Sequence, residues 1–303
     1  MILYVSDLDG TLAGPDEQLS RKTVKIINTL LDNGLAFTIA TARSLTSAAE
    51  MIAPLHLRLP VILNNGAFVY HPLKKRNIAA NFLEPAVVER LVADCRQCGV
   101  SPTLHVLTGE EKPRVYYREA IHPGEKHYIC GRQASGDPRF RRVEDLRPAP
   151  GDRVYALLVI GDHPELAALA AKWGTDPEIA VHYAQDIYSG AYWLEATDRR
   201  ATKKGAVRFL RDLLSVEKVV CFGDHLNDLP MFEEADEAYA VANAHELLKA
   251  KATGIIAAND RDGVARFLLQ RMKGRLKTRP PSPGKVKIEQ VKMQAGKDIS
   301  SKL

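Results

Sequence analysis

Cysteine is scarce in this chain: four in 303 residues. That is no disulfide framework of the kind that holds small secreted folds together. Long apolar runs are missing too. The longest charge-free stretch, Leu59–Leu73, is broken by Pro60 and by Asn64-Asn65-Gly66 and falls short of a membrane span. The apolar start, Met1–Val5, meets Asp7 and Asp9 too soon for a signal-peptide core and carries no basic leader, so the expected location is cytoplasmic. Neither G-x-x-x-x-G-K-[ST] nor G-x-G-x-x-G occurs, which argues against a nucleotide-dependent kinase or dehydrogenase. A basic surface is also lacking over most of the chain. The formal net charge is +5, but the residues from Lys273 onward carry +7, leaving the preceding 272 residues at −2. This tail, 273–303, includes "RPPSPGK", has no apolar periodicity and reads as disordered. It is the one candidate for binding RNA or an acidic partner, yet it has no aromatic side chain on which bases could stack.

What remains is the composition of an ordinary globular protein, 46% hydrophobic and 26% charged. Its length allows two domains, or one with a large insertion. Ile2–Ser6 reads as a buried strand, Lys22–Asn33 as a helix closed by Gly34, and Leu35–Ala40 as a second strand. Ser44–Ile52 follows as a helix and Pro60–Leu63 as a third strand. This βαβαβ rhythm predicts a parallel sheet covered on both faces. From about Leu83 the pattern becomes mixed: helices at Pro85–Cys98 and Pro164–Trp173, and strands at Thr103–Leu107, Arg114–Tyr117, Val154–Ile160, Ala180–Tyr183 and Tyr192–Ala196. After Lys204 the first rhythm returns, with helices Gly205–Leu214 and Pro230–Glu234 and strands Lys218–Phe222, Ala238–Val241 and Gly254–Ala257. The expected architecture is a Rossmann-like α/β core, 1–82 and 198–272, split by an α+β insert, 83–197.

Polar residues gather at the ends of the core strands. "YVSDLDGTLAG" places Asp7 and Asp9 after the first strand; if the backbone stays extended, both side chains point the same way, ~7 Å apart, and call for a cation between them. The second strand end supplies Thr41 and Arg43, the third Asn64 and Asn65, and "VVCFGDHLNDLPMF" supplies Asp224, Asn227 and Asp228. Ligands of open parallel sheets sit outside the carboxyl ends of the strands, so these groups can converge. Several carboxylates around one point require a hard divalent cation with oxygen ligands, and Mg²⁺ is the expected ion.

Four segments, "DLDGT" at 7–11, "TAR" at 41–43, "KKG" at 203–205 and "GDHLND" at 223–228, resemble the haloacid-dehalogenase superfamily of phosphohydrolases, in its Cof-like branch with a large α+β cap. The resemblance covers roughly residues 1–272. It implies a Mg²⁺-dependent phosphatase of small phosphorylated metabolites, sugar phosphates first, with pyridoxal phosphate and flavin mononucleotide among the alternatives. By the same resemblance Asp7 is the nucleophile that accepts the phosphoryl group and Asp9 the general acid and base. Gly10 lets the backbone approach the phosphate, and Thr41, Ala42, Arg43, Asn65 and Asn227 contribute to substrate or phosphate binding. Lys204 neutralises charge on the transferring group, with Lys203 as its rival; Lys204 is preferred because it directly precedes Gly205. Metal ligands are Asp7, the Asp9 backbone carbonyl and Asp224, with Asn227 or Asp228 close behind. The chain departs from the family pattern at Ala42, where Gly is usual, and at His225, where Asn is commoner. A phosphomutase that passes the phosphoryl group to a sugar hydroxyl is the competing enzyme reading.

Other features read as structural. Cys95-x-x-Cys98 stands alone at a predicted helix end, Cys221 sits inside a strand, and Arg199 and Arg200 suit a solvated turn. Within the insert, His105, Tyr116, Tyr117, His127, Tyr128 and Tyr183 are candidate contacts to the leaving group, while Arg139, Arg141 and Arg142 could favour a second anionic group.

Overall fold

The computed structural model describes residues 1–185 and 190–276. Strand β1 (Ile2–Ser6) leads into helix α1 (Arg21–Asp32), whose Ser20 cap accepts from the Thr23 N–H and whose Ile27, Leu30 and Leu31 are buried. Strand β2 (Ala36–Ile39) and helix α2 (Leu45–Ile52), capped by Ser44, complete the first repeat. Strand β3 (Val61–Leu63) meets Ala40 beside β2 through a single parallel bridge, between Ala40 and Ile62. It then pairs antiparallel with β4 (Phe68–His71), which pairs with β5 (Arg76–Ala80). The third parallel strand expected at Pro60–Leu63 is therefore the start of a separate three-stranded antiparallel sheet.

Residues 85–198 form the second layer system: α3 (Pro85–Gln97), β6 (Pro102–Leu107), β7 (Pro113–Tyr117), α4 (Pro123–Ala134), β8 (Phe140–Arg142), β9 (Arg153–Gly161), α5 (His163–Gly174), β10 (Ile179–Gln185) and β11 (Tyr192–Asp198). Their six strands lie in the order β10-β11-β9-β6-β7-β8, antiparallel except for β7 beside β8. One face packs an apolar cluster that includes Leu91, Leu104, Leu157, Leu166, Trp173 and Leu194. The chain returns through α6 (Lys203–Leu213), β12 (Lys218–Gly223), α7 (Leu229–Glu234), β13 (Glu237–Val241), α8 (Glu246–Lys249), β14 (Gly254–Ile256) and α9 (Gly263–Leu276). The expected tail falls partly in α9, which runs through Leu276; residues 277–303 lie outside the described residues.

The core sheet has the order β14-β13-β12-β1-β2, and each of its ladders is parallel. Leu3, Val5, Val219, Val220 and Phe222 have no exposed surface, so each contributes about 1.5–3 kcal/mol of burial free energy. The chain leaves β1 toward β2 on one side and comes back to β12 on the other. The crevice at this reversal opens at the carboxyl ends of β1 and β12, where Asp7 and Asp224 begin their loops. Among the described residues, no helix is long and apolar enough to cross a membrane.

Candidate active site

Asp7 leaves β1 with its N–H bonded to the Phe222 carbonyl at 2.9 Å, so its position is set by the β1–β12 ladder. Both it and Asp228 are almost fully buried. One carboxylate oxygen from each of Asp7, Asp224 and Asp228 lies within 4.8 Å of the others. At that separation, repulsion between two unit charges is roughly 3–4 kcal/mol at an effective dielectric near 20. Lys203 is the charge that meets this cluster. Its Nζ donates to Asp7 Oδ1 at 2.5 Å and to Asp228 Oδ1 at 2.7 Å.

This corrects the preference for Lys204, whose Nζ points outward to Glu233 Oε2 at 2.8 Å. Helix geometry explains the difference. Thr202 caps α6 by accepting from the Gly205 N–H, so the helix begins at Lys203. Its buried face then carries Lys203, Ala206, Val207 and Leu210, three, four and seven positions on from the lysine. Lys204 is rotated ~100° off that face.

Asp228 holds the loop as well as the lysine. Its Oδ2 accepts the Asp224 N–H at 2.9 Å and the His225 N–H at 3.2 Å. Asp224 is fixed by the Thr11 hydroxyl, which donates to its Oδ1 at 2.7 Å. Gly10 has φ +71°, and a Cβ there would lie 2.4 Å from Asp224 Oδ2, so the turn after Asp9 admits no side chain. The Gly10 carbonyl accepts from Asn243 Nδ2 at 2.8 Å, a contact that carries no signal in the sequence.

Burial pushes Asp7 well above the usual carboxylate range; Lys203 opposes the rise, and Asp228 and Asp224 add to it. Asp224 is pushed up to about 6, first by burial and then by Asp228. Lys203 is disfavoured as a cation by burial, but Asp228 and Asp7 outweigh this and hold it above the ordinary lysine value. Once all three carboxylates are ionised, one lysine leaves a local charge of −2. A divalent cation closes that balance, and the all-oxygen donor set fits a hard ion such as Mg²⁺.

The Asp9 side chain lies outside the three-carboxylate group. It turns to Arg43, whose Nε donates to Oδ1 and Oδ2 at 2.9 and 2.8 Å and whose Nη2 reaches Oδ1 at 2.6 Å. Asp7 and Asp9 thus meet different side-chain cations, Lys203 and Arg43. Arg43, expected on the phosphate, is also held by Glu17 at 2.5 Å. Asp9 still faces Asp224 closely enough to raise its pKa. Thr41 is buried, with its hydroxyl accepting from the Arg43 N–H at 3.1 Å, and Ala42 between them is exposed. Asn65, at φ +53°, accepts from Asn227 Nδ2 at 3.4 Å, bringing the 64–66 and 224–228 loops together. His225 is exposed, with its ring 5.9 Å from that of His245.

Links between the insert and this site include Arg139 Nη1, which donates to Ser44 Oγ at 3.0 Å, and the Asn65 side chain, which hydrogen-bonds Glu195. Of the candidates in the insert, His105 and Tyr128 lie in the same electrostatic neighbourhood as Arg139. Tyr116 instead bonds Asp152, Tyr117 accepts from Gln133, and Tyr183 stacks on Tyr192, while His127, Arg141 and Arg142 are exposed. A separate cleft lined by Leu83, Val88, Arg96, Arg118 and Leu146 contains none of the site residues. Cys95 and Cys221 are buried and Cys98 is exposed, each a free thiol. Arg200 is engaged by Asp198.

Residues 4–268 match a family described as haloacid dehalogenase-like hydrolase. The chain is 28% identical over 278 residues to the 5-amino-6-(5-phospho-D-ribitylamino)uracil phosphatase YitU of Bacillus subtilis, covering 88% of this chain and 96% of that protein. It is 27% identical over 251 residues to the HMP-PP phosphatase of an Enterobacter species, covering 80% and 84%. A crystal structure of a haloacid dehalogenase-like hydrolase from Bacteroides thetaiotaomicron superposes with a TM-score of 0.72 at 22% identity, covering 89% of this chain and 98% of the other.

Proposed function

The chain belongs to the haloacid dehalogenase-like hydrolases, and from that premise we propose that it is a cytoplasmic phosphatase of small phosphorylated metabolites, with Asp7 as nucleophile. The observation that carries this reading is the buried Lys203 shared between Asp7 and Asp228, with Asp224 alongside. The names of two relatives, a ribitylamino-uracil phosphatase and an HMP-PP phosphatase, support a small phosphorylated substrate.

In the reaction, an Asp7 carboxylate oxygen attacks phosphorus and the P–O bond to the substrate alcohol breaks. Asp9 gives its proton to the departing alkoxide. It then takes one from the water that cleaves the aspartyl-phosphate, releasing inorganic phosphate and restoring Asp7. Arg43 engages both Asp9 oxygens, so Asp9 turns away from these contacts to take up and pass on its proton. Lys203 holds Asp7 in line and neutralises charge on the transferring group, and positioning and electrostatics of this kind are most of phosphoryl-transfer catalysis. Asp7, Asp224 and Asp228, with the Asp9 carbonyl, would hold Mg²⁺, which supplies further charge neutralisation when bound. Segment 83–197 acts as the cap that closes over the reacting groups and excludes bulk water. Phosphate release from p-nitrophenyl phosphate, abolished by chelation and restored by Mg²⁺, is the expected result; release that survives chelation would overturn the metal assignment.

A further inference from the structure

The six-stranded sheet of the insert turns one face toward the catalytic loops, and the polar groups on that face are unusual in how their charges balance. His182 and Glu195 are directly paired across β10 and β11, so their side chains share a face. That face is the one toward the core: Glu195 is hydrogen-bonded by Asn65, and His182 feels the charges of His225 and Lys203. Between β6 and β9 the register slips at His105/Val106, and the extra residue is Tyr155. This bulge aims the Tyr155 ring at Phe68 of β4. Tyr128 and Trp193 pack edge to face beside it, with ring centroids 5.1 Å apart.

The charges on this face can be assigned one by one. Arg139 is matched by Asp137, with Nε–Oδ1 and Nη2–Oδ2 contacts of 2.9 and 2.6 Å. Burial holds His105 down to about 4 and lowers His182, disfavouring the charged form of both imidazoles. Glu195 has no cationic partner among the described residues; the neutral amide of Asn65 hydrogen-bonds it. Burial raises its pKa, against the pull of that amide. Nearby, the Trp193 indole N–H is buried without an acceptor. A buried donor without an acceptor, beside a half-buried acid whose neighbour is a neutral amide, is a pair of groups a ligand can satisfy.

We propose that Glu195, flanked by His182 and Trp193, selects the alcohol portion of the substrate: a phosphate monoester whose leaving group offers hydroxyl donors and carries no second negative charge. The inference rests on the phosphatase reading above and sharpens it to neutral polyol phosphates. Glu195 accepts from a hydroxyl of the leaving group while Asn65 and Asn227 hold it against the motif loops. A carboxylate at the same point of the substrate meets Glu195 with like charge, and Arg139 is already matched by Asp137.

The test is a matched pair of substrates, glucitol 6-phosphate and gluconate 6-phosphate, which differ at the far end by CH₂OH against COO⁻, with p-nitrophenyl phosphate as a leaving group lacking hydroxyls. For the full chain with Mg²⁺, kcat/KM for glucitol 6-phosphate should exceed that for gluconate 6-phosphate by about tenfold or more, the scale on which buried polar groups discriminate. In Glu195→Gln and Glu195→Ala the ratio should fall at least fivefold. Activity on glucitol 6-phosphate should also drop more than activity on p-nitrophenyl phosphate, mainly through KM. A wild-type ratio near one, a ratio unchanged in the variants, or equal losses on all three esters would overturn the proposal. The wild-type ratio stands as a test even if a variant fails to fold. Hydrolysis of p-nitrophenyl phosphate with no preference within the pair sinks this inference alone, whereas no release from any ester sinks the phosphatase reading and this inference together.

Discussion

Lys203 Nζ lies 2.5 Å from Asp7 Oδ1 and 2.7 Å from Asp228 Oδ1, with only 1% of the lysine side chain exposed. The adjacent Lys204 is 38% exposed and pairs with Glu233 at the surface. Removing the buried partner leaves two carboxylates facing each other in a dry site, which costs about 3–5 kcal/mol of stability. Losing the charge that faces the phosphoryl group costs roughly 10²–10³ in kcat. Lys203→Ala should therefore show both a lower denaturation midpoint and this loss of rate, whereas Lys204→Ala should stay within about 0.5 kcal/mol and twofold of the parent. Urea unfolding and phosphate release measured on the two variants in parallel decide the matter, and the opposite order would return the role to Lys204.

Asp7→Asn keeps the shape of the side chain but removes the carboxylate proposed as the nucleophile. Burial raises the pKa of Asp7, so a neutral amide of the same shape is accepted in the same pocket. Lys203 retains Asp228 as its counter-ion. The variant should unfold cooperatively within about 1 kcal/mol of the parent while phosphate release falls by at least ~10³. Circular dichroism and a phosphate assay report the two quantities; retained turnover would remove Asp7 as the nucleophile.

The position of Lys203 was legible in the sequence in a way that motif spacing alone does not reveal. Val207 and Leu210 already define an apolar stripe, and stepping back one and two turns along it lands on Lys203, not Lys204. The core strands were equally legible, because each apolar run ends in glycine or in a polar cluster. Helix α4 was not: in PGEKHYICGRQA only Glu125 and Ile129 are buried, and Gly131 interrupts what pattern there is. The β4–β5 hairpin was hidden because its turn uses Lys75 at φ +51° in place of the Asn-Gly or Asp-Gly that marks such turns. His182 and Glu195 lie thirteen positions apart, and only the β10–β11 register puts them side by side. Long-range pairing leaves no trace in local periodicity, so the insert's contribution to the site was the least readable part.

Metal binding should depend on pH through the acidic cluster. With Asp224 pushed up to about 6 by burial and by Asp228, a proton occupies it below that pH and competes with the cation. Because the folded-state pKa is raised above the unfolded value, ionising this group opposes folding as pH rises from about 4 toward 6, and a bound cation relieves that cost. The Tm increase produced by Mg²⁺ should therefore be small at pH 5, grow through pH 6 and level off above 7. Thermal unfolding with Mg²⁺ and with chelator across this range tests it. An Mg²⁺ effect that is flat with pH would separate the ion from Asp224.

Gly10 is where the backbone itself makes room for the cluster. Its φ of +71° is costly for a residue with a Cβ, by roughly 1 kcal/mol or more. The larger effect is steric, because that Cβ would sit 2.4 Å from Asp224 Oδ2 and 2.9 Å from its Cγ. Asp224 cannot easily yield: Thr11 donates to its other oxygen, its N–H is bound by Asp228, and its carbonyl accepts from the His245 N–H at 2.8 Å. In Gly10→Ala, either the carboxylate rotates off Thr11 or the 9–11 turn shifts and pulls Asp9 from Arg43. Both outcomes damage the site more than the fold, since β1 and its ladder to β12 end before this turn. The expected result is a stability loss of about 1–3 kcal/mol with a far larger deficit in rate, together with at least tenfold weaker Mg²⁺ binding measured calorimetrically at pH 7.5. The double variant Gly10→Ala/Thr11→Ser separates the two routes. Serine keeps the hydroxyl while removing the methyl, so partial recovery of Mg²⁺ affinity identifies carboxylate rotation, and no recovery identifies displacement of the turn.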